Sequence, residues 1–327
     1  MLGDFQLHNT VLRRYYKHKE ILHNAYFIEV INNFKQYCVD KDYSSVTVGH
    51  YTKQSAKFLD YTDSQKITLC SEINLIIINN YIKTLSGYTY KTVEQQLCSL
   101  RSFFKYLYIN DLILIDYSLR IPMVQSRKQT RIPSVWDVSD LKKLIAAIDR
   151  GSPMGKRDFA IILLACRLGL RISDIKKLMF ENFHWENNEL VFIQSKTRKI
   201  LSLPLIQDVG WAVIDYLKYG RPKVESAYIF VRHLAPFIPF SEDDHLNQMI
   251  SKYMRLAHIP VSSKKKVGMH SLRHTVASLL LENDTPLPII SDILGHVDTN
   301  STAVYLKVDI NKLKQCPLNI NESGIYE

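Results

Sequence analysis

This 327-residue chain is basic overall and has the composition of a folded protein. Hydrophobic residues make up 46% of it and charged residues 23%, which excludes a disordered polar chain and leaves room for about two domains. The net charge of +10 favours a polyanion as partner. Residues 1–130 contain 16 Lys and Arg against 11 Asp and Glu, and residues 131–327 contain 26 against 21, so each part contributes +5.

The cysteines and the apolar runs narrow the class of protein further. Five cysteines are scattered along the chain without a Cys-x-x-Cys pair, which argues against a zinc site or a disulfide framework. The N-terminal stretch lacks the apolar core of a signal peptide, and apolar runs such as Phe159–Cys166 are too short to span a bilayer. We therefore expect a cytoplasmic protein without a membrane segment.

The first part of the chain divides into an extension and a helical region. Residues 1–24 are polar, basic and aromatic without a long apolar period. From Phe27 onward, apolar residues recur at helical spacing, and the pattern returns between Leu97 and Leu107. Arg101 and Lys105 lie away from the apolar stripe of that later helix. Residues 25–120 are therefore predicted to form an all-helical bundle of about four helices.

A basic stretch follows the predicted bundle. Residues 121–134 contain Pro122 and Pro133 and show no regular apolar spacing. Prolines and polar residues in this arrangement are typical of a linker between domains.

The segment after the linker combines helices with one hairpin. Helices are predicted after Asp140, over 159–164, over 206–219 and over 245–257. Ser173 is a good N-cap for a further short helix, which leaves Arg171 in the turn before it. Two short segments rich in Ile, Val and Leu, 189–194 and 200–205, flank the basic turn at 195–199, and this pattern predicts a β-hairpin.

The stretch from 270 to 305 sets polar residues into two predicted helices. Apolar residues recur at helical spacing on both sides of an interruption at 283–286. His270 and Arg273 are three apart, so a helix that begins there presents both on one face, with His274 close by. Gly295-His296 ends the second helix, and Tyr305 follows nine residues later.

These residues form an ordered set along the chain. The set comprises the Gly-Leu-Arg-Ile-Ser-Asp box around Arg171, Lys196 at the hairpin, His270-x-x-Arg273, Gly295-His296 and Tyr305. It resembles the catalytic region of the tyrosine recombinases, the phage integrase family, and the resemblance covers residues 134–305. Asp174 stands where a glutamate is commoner in that family, a change that removes no charge the mechanism needs.

The resemblance implies a role for each residue in breaking a phosphodiester bond. Arg171 and Arg273 would clamp the phosphate, because a guanidinium donates two parallel hydrogen bonds and stays charged at any working pH. Lys196, with Lys199 as the reserve, would protonate the departing 5′-oxygen, and His270 would help to accept the proton of the nucleophile. His296 would hydrogen-bond the phosphate.

The same resemblance assigns Tyr305 as the nucleophile and gives Asp174 a supporting position behind the site. The product would be a 3′-phosphotyrosine that conserves the bond energy, so the reaction needs no cofactor and no metal. The chain contains no Gly-x-x-x-x-Gly-Lys loop that would hold a nucleotide.

The implied fold is mainly α with a small β-sheet, arranged as a two-domain, C-shaped clamp on double-stranded DNA. We expect an extension at 1–24, a helical core-binding domain at 25–120, a linker at 121–134, a mixed α/β catalytic domain at 135–305 and a tail at 306–327 that contacts a neighbouring protomer. The working unit would be a tetramer in the synapse and a monomer when free, with accessory proteins possible. Basic residues outside the set are candidates for contacts with DNA: Arg101, Lys105, Arg127, Lys128, Arg131, Lys199, Lys264, Lys265 and Lys266.

Four alternatives remain open at this point. His270 and His274 are spaced like half a zinc site, although no third ligand is evident. A type IB topoisomerase would use the same set of residues without strand exchange. A regulator could keep the fold and lose the activity. A metal-dependent transposase would need a cluster of carboxylates, which the sequence does not offer near these motifs.

Overall fold

The computed structural model describes residues 24–124, 133–242, 244, 246–260, 268–296 and 302. The chain divides into two compact units, residues 1–128 and 129–327. Among the helices that the structure describes, none is long and apolar enough to cross a membrane. The predicted extension at 1–24 lies outside the described residues except for Asn24, as do residues 125–132 of the predicted linker.

The first unit is the predicted helical bundle, which is confirmed. Its α-helices within residues 24–124 are Ala25–Asp40 (α1), Ser45–Ser64 (α2), Leu75–Thr84 (α3) and Tyr90–Ile109 (α4). Each begins at a residue whose side chain accepts hydrogen bonds from the first turn: Asn24, Ser44, Asn74 and Thr89. The helices enclose an aromatic core in which Phe34 meets Phe103 edge to face, with ring centroids 5.1 Å apart.

The second unit is mainly helical and carries a small sheet. Its helices are Val138–Ala146 (α5), Pro153–Arg167 (α6), Ile172–Lys176 (α7), Gln207–Tyr219 (α8), Asn247–Leu256 (α9), Met269–Glu282 (α10) and Leu287–Leu294 (α11). Its strands are Phe183–His184 (β1), Glu189–Ile193 (β2) and Ile200–Pro204 (β3). The predicted combination of a mainly α fold with a small β-sheet is confirmed.

The strands form one antiparallel sheet in the order β1-β2-β3. Leu190 pairs with Leu203 and Phe192 with Leu201, and these four side chains are buried. Alternate residues of a strand point to opposite faces, so one face of the hairpin packs on the core and the other is open. The predicted hairpin is therefore present, and its turn at 195–199 lies at the end of a well-anchored pair of strands.

Helix α6 is the central element of the second unit. Its residues from Ala160 to Ala165 are all buried, and the helix packs against α8 and α10. Hydrophobic burial on all sides of a helix is typical of the centre of a domain. Because α6 ends at Arg167, four residues before Arg171, and also contacts α10, it brings the two arginine motifs close together.

The first turn of α10 is fastened to the segment just before α5. The indole Nε1 of Trp136 donates to Ser271 Oγ at 2.7 Å, and the backbone N–H of Trp136 donates to Thr275 Oγ1 at 2.9 Å. Asn247 Oδ1 accepts from the N–H of Met269 at 3.1 Å. These bonds hold the start of the helix that carries His270 and Arg273.

Two predicted helix starts are wrong. Helix α5 begins at Val138 with Asp137 as its N-cap, whose side chain accepts from Ser139 N, and therefore starts before Asp140. Ser173 does not cap α7, because the cap position is Arg171, with φ −71° and ψ 143°, and Ser173 already lies inside the helix. The helix therefore begins two residues earlier than a cap at Ser173 would place it, and Arg171 itself occupies the cap position.

We expect Trp136→Phe to lower the free energy of unfolding of the second unit by about 1–3 kcal/mol, because it removes a buried hydrogen bond and leaves a small void. Urea denaturation followed by circular dichroism measures this difference. Trp211→Phe is the matched control, since Trp211 is 61% exposed and its loss should change the midpoint little. Equal effects of the two substitutions would contradict the anchoring of α10 by Trp136.

Candidate active site

The predicted catalytic residues that the structure describes lie around the C-terminal end of helix α11. Arg273 donates from Nη2 to Leu294 O at 2.5 Å and from Nη1 to Gly169 O at 2.7 Å. Arg171 donates from Nη2 to Gly295 O at 3.3 Å. The last carbonyls of a helix lack partners within the helix, and here the two arginines supply them. Both guanidinium groups therefore lie beside the carbonyl groups of Leu294 and Gly295.

Two glycines make this approach possible. Gly295 follows α11 with φ +58° and Gly169 follows α6 with φ +65°, a left-handed conformation that side chains other than glycine rarely adopt. A Cβ atom at Gly295 would lie only 2.2 Å from Gln194 Nε2, and one at Gly169 would lie 2.9 Å from a methyl of Leu294. Both turns are therefore conformationally specific and sterically closed to larger residues.

Asp174 links the first arginine to the hairpin. Its carboxylate is 2% exposed, and its Oδ1 accepts from the backbone N–H of Ser195 at 2.8 Å. Its Oδ2 lies 4.0 Å from Arg171 Nη1. A single buried carboxylate thus faces both Arg171 and the turn that carries Lys196, and the supporting role of Asp174 stays a prediction.

Lys196 is exposed at the tip of the hairpin, as predicted. The turn is closed by backbone hydrogen bonds from Gln194 N to Lys199 O at 2.9 Å and from Arg198 N to Gln194 O at 3.0 Å. Lys199, the reserve lysine, is also exposed. The charge of Lys196 contributes to lowering the pKa of His270, so the two residues belong to the same electrostatic environment.

Three histidines complete the cluster. The rings of His270 and His274 meet edge to face, with centroids 4.4 Å apart. Desolvation, followed by the charges of Arg273, Arg171 and Lys196, lowers the pKa of His270. Desolvation, with contributions from His270 and Arg273, lowers the pKa of His274 to about 4. Within the described part of the chain, no group of His, Cys, Asp or Glu is arranged to hold a metal ion.

His296 follows Gly295, and its side chain is hydrogen-bonded to Thr302. Its Nδ1 lies 2.8 Å from the hydroxyl of Thr302, a residue that is fully buried. Desolvation and the charges of Arg273 and Arg171 lower the pKa of His296 to about 4. Its imidazole is therefore neutral at physiological pH and keeps one nitrogen for a partner outside this hydrogen bond.

Several predicted residues lie outside the described residues. They are Tyr305, Arg127, Lys128, Arg131, Lys264, Lys265 and Lys266. Of the remaining DNA-contact candidates, Lys105 forms an ion pair with Asp116 at 2.9 Å, and Arg101 donates to Pro122 O at 3.1 Å. These contacts hold the two side chains on their own unit.

Three residues of this region were not predicted from the sequence: Gln194, Thr302 and Trp136. The hydrogen bonds of Gln194 to Leu294 and of Trp136 to Ser271 and Thr275 join residues at least 100 positions apart, so no local pattern indicates them. Thr302 is only six residues from His296, but a lone threonine carries no distinctive signal. Thr302 contacts His296 itself, whereas Gln194 and Trp136 bond to residues that neighbour the set along the chain.

The family models that match this sequence cover both units. The model of the N-terminal SAM-like domain of phage integrases matches residues 31–110, and the model of the phage integrase family itself matches residues 135–312. The chain belongs to the phage integrase family. The resemblance found in the sequence is thereby confirmed, and with it the class of the tyrosine site-specific recombinases.

Individual members of the phage integrase family are similar to this chain over most of its length. The tyrosine recombinase XerC of Bacillus pumilus is 28% identical over 287 residues, which are 85% of this chain and 90% of XerC. The tyrosine recombinase XerD of Listeria innocua is 28% identical over 301 residues, which are 88% and 96% of the two chains. The fold is similar to that of the XerH site-specific recombinase in its post-cleavage complex, with a TM-score of 0.67, 16% identity and coverage of 87% and 83%.

We expect the stability of this phage integrase to fall as the pH falls from 7.5 to 5. The folded-state pKa values of His274 and His296, about 4, lie below the value of about 6.5 for an unfolded histidine. Between these values the unfolded chain binds more protons than the folded protein, so protonation favours unfolding. The urea midpoints of wild type and His274→Gln at both pH values test this. The variant should lose less stability on acidification, and an equal loss would contradict the assignment.

We expect Gly295→Ala to lower the free energy of unfolding by about 1–3 kcal/mol, since it forces an alanine into a left-handed conformation and against Gln194. Gly210→Ala is the matched control in the same unit. A Cβ at Gly210 meets its neighbours at 3.7 Å or more, and alanine is the better helix former within α8. Thermal denaturation of both variants measures the difference, and a Gly295→Ala variant as stable as Gly210→Ala would contradict it.

Proposed function

We propose that this protein is a site-specific recombinase that cleaves and rejoins duplex DNA through a 3′-phosphotyrosine intermediate, exchanging strands between two sites. The observation that carries the proposal is the convergence of Arg171 and Arg273 on the end of α11, beside His296 and the hairpin of Lys196. Tyr305, which lies outside the described residues, is proposed as the nucleophile because of its position in the sequence motif.

The two arginines provide what a phosphodiester under attack requires. Attack on phosphorus adds negative charge to the non-bridging oxygens, and fixed cations that already face this point lower the barrier. The guanidinium of Arg273 is 2% exposed and is oriented by two backbone carbonyls, so little reorganisation is needed when the phosphate arrives. We assign the clamp on the scissile phosphate to Arg171 and Arg273, with a further hydrogen bond from His296.

The proton transfers divide between a base and an acid. Because the pKa of His270 is lowered, its imidazole is neutral near pH 7 and can accept a proton from the nucleophile. A free phenol, with a pKa of about 10, is roughly 4 kcal/mol from ionisation at pH 7, and the neighbouring cations offset part of this cost. Lys196 remains the proposed donor to the departing 5′-oxygen.

The partner is proposed to be double-stranded DNA, bound by a tetramer of this chain in the synapse. XerH is described in complex with its difH substrate, and the λ integrase as a tetramer bound to a Holliday junction; the latter matches this fold with a TM-score of 0.64 at 12% identity. The net charge of +10 is consistent with a DNA partner. We propose a cytoplasmic recombinase of Xer or mobile-element type.

Two rival functions make different predictions. A regulator of the same fold would bind DNA without forming a covalent product. A type IB topoisomerase would form the same covalent product but would not exchange strands between two linear duplexes. The cation cluster around α11 favours catalysis, because a regulator gains nothing from directing two largely buried arginines at one point.

We expect wild type, incubated with nicked genomic DNA in EDTA and stopped with SDS, to yield a covalent DNA adduct that Tyr305→Phe does not form. The reaction would proceed in EDTA because its cations are side chains, whereas a metal-dependent transposase would be inhibited. Tyr219→Phe is the matched control, since Tyr219 is 70% exposed and lies on α8. Sequencing the attached DNA would supply the target site.

The outcomes separate the candidate functions. An adduct that forms with wild type and Tyr219→Phe but not with Tyr305→Phe supports the proposed nucleophile. Recombination of two linear duplexes that carry the recovered site then distinguishes a recombinase from a topoisomerase. DNA binding without an adduct would favour the regulator. An adduct that persists in Tyr305→Phe would assign the nucleophile to another residue.

A further inference from the structure

Gln194 is a buried amide between the hairpin and helix α11. It directly follows β2, its residue surface is 1% exposed, and it precedes the turn that carries Lys196. It belongs to none of the sequence motifs and takes part in no step of the proposed chemistry. A buried amide needs hydrogen-bond partners, because leaving one unpaired costs roughly 1–3 kcal/mol. Its partners therefore indicate what it holds in place.

The two ends of this amide bind different parts of the site. Gln194 Oε1 accepts from the hydroxyl of Thr197 at 2.6 Å. Gln194 Nε2 donates to Leu294 O at 3.2 Å. A carbonyl can only accept, so the amino end must face α11 and the carbonyl end must face the turn. Glutamine is suited to this position because its side chain both donates and accepts.

Both partners adjoin residues of the proposed mechanism. Thr197 is the neighbour of Lys196 in the turn. Leu294 O also accepts from Arg273 Nη2, and the next residue, Gly295, accepts from Arg171 through its carbonyl oxygen. The close approach of Gln194 to the backbone of Gly295 leaves no space for a side chain there. The amide therefore connects the tip of the hairpin to the point where the two arginines meet.

A lysine at a hairpin tip needs such a connection. Lys196 is exposed, its side chain has four rotatable bonds, and the tip extends beyond the paired strands. General acid catalysis requires the donor within hydrogen-bond distance of the leaving oxygen, and a shift of about 1 Å costs on the order of 100-fold in rate. Asp174 holds the turn at Ser195, before Lys196, and Gln194 holds it at Thr197, after Lys196.

We propose that Gln194 is a positioning residue that, through Thr197, sets the hairpin tip so that Lys196 reaches the 5′-oxygen of the phosphate bound by the arginines. This inference rests on the proposed function of Lys196 as the general acid. Gln194 itself touches neither the DNA nor the reacting atoms in this assignment. Its effect on catalysis should therefore appear only in the step in which the lysine donates its proton.

The chemistry of the leaving group isolates that step. In cleavage, the Tyr305 oxygen forms a bond to phosphorus, the bond from phosphorus to the 5′-oxygen breaks, and the oxygen takes a proton from Lys196. If a sulfur atom replaces the bridging 5′-oxygen, the phosphorus–sulfur bond breaks instead. The thiolate that leaves is stable near neutral pH, because thiols have pKa values of about 8.5, and it needs no proton donor. A defect confined to proton donation disappears with the sulfur substrate.

The experiment compares cleavage rates on two nicked duplexes built from the DNA recovered in the Tyr305 adduct, one with the natural 5′-oxygen and one with 5′-sulfur. The variants are Gln194→Met, which keeps the size and removes both hydrogen bonds, and Thr197→Val, which removes only the bond to the turn. We expect both to cleave the oxygen substrate about 10–100-fold more slowly than wild type and the sulfur substrate within about 3-fold of wild type. Thr197→Ser keeps the hydroxyl and should restore cleavage of the oxygen substrate.

Control variants separate this inference from the proposed function. Lys196→Ala should show the largest ratio of the cleavage rate on the sulfur substrate to that on the oxygen substrate. This ratio defines the complete loss of the proton donor. If sulfur does not rescue Lys196→Ala, the lysine is not the general acid and the positioning inference fails with that assignment, whereas the recombinase function itself is tested separately by the Tyr305 adduct. If sulfur rescues Lys196→Ala but not Gln194→Met and Thr197→Val, the proposed function stands and the positioning role is wrong.

Loss of folding cannot imitate the expected result, because an unfolded protein cleaves neither substrate. Thr197 is half-buried in a turn, so Thr197→Val decides the question even if Gln194→Met does not fold. Wild-type rates of Thr197→Val on the oxygen substrate would overturn the inference.

Discussion

The geometry of this site depends on the unpaired carbonyl groups at the end of helix α11. A helix ends with carbonyls that have no partner within it and that together carry a partial negative charge. Here Leu294 O and Gly295 O accept from Arg273, Arg171 and Gln194. These acceptors are neutral groups, so the hydrogen bonds orient the two guanidinium groups without adding a counter-charge. The carboxylate of Asp174, 4.0 Å from Arg171, offsets part of the positive charge of that arginine.

The surroundings of the two arginines also affect the protonation of the neighbouring histidines. Desolvation, followed by the charges of two guanidinium groups, keeps the pKa values of His270 and His296 below the ordinary range. A neutral imidazole can accept a proton or a hydrogen bond at physiological pH, whereas an imidazolium can only donate. The cost appears in stability, since protonation at low pH favours the unfolded chain. The burial that keeps these histidines neutral therefore also makes the folded protein sensitive to acid.

The hairpin carries Lys196, the proposed general acid. Its strands are anchored by buried residues such as Leu190 and Leu203, but its tip is an exposed turn. Asp174 and Gln194 tie this tip to α7 and α11, so the positions of Lys196 and of the arginines are coupled through two buried polar side chains. A glutamine in this position contributes no charge, which leaves the field of the cations unchanged.

Local patterns in the sequence determined the bundle of the first unit, the hairpin and the two helices interrupted at 283–286, because helical period and turn residues act over short stretches. The spacing of the motifs predicted the set from Arg171 to Tyr305, whose roles stay a prediction. Cap assignment at Ser173 failed, since the backbone turned at Arg171. Only the tertiary structure decided the contacts of Gln194 with Leu294 and of Trp136 with Ser271, which join residues 100 and 135 positions apart. Such contacts form only when separate elements pack together, and no spacing along the chain records the partner of a buried polar group.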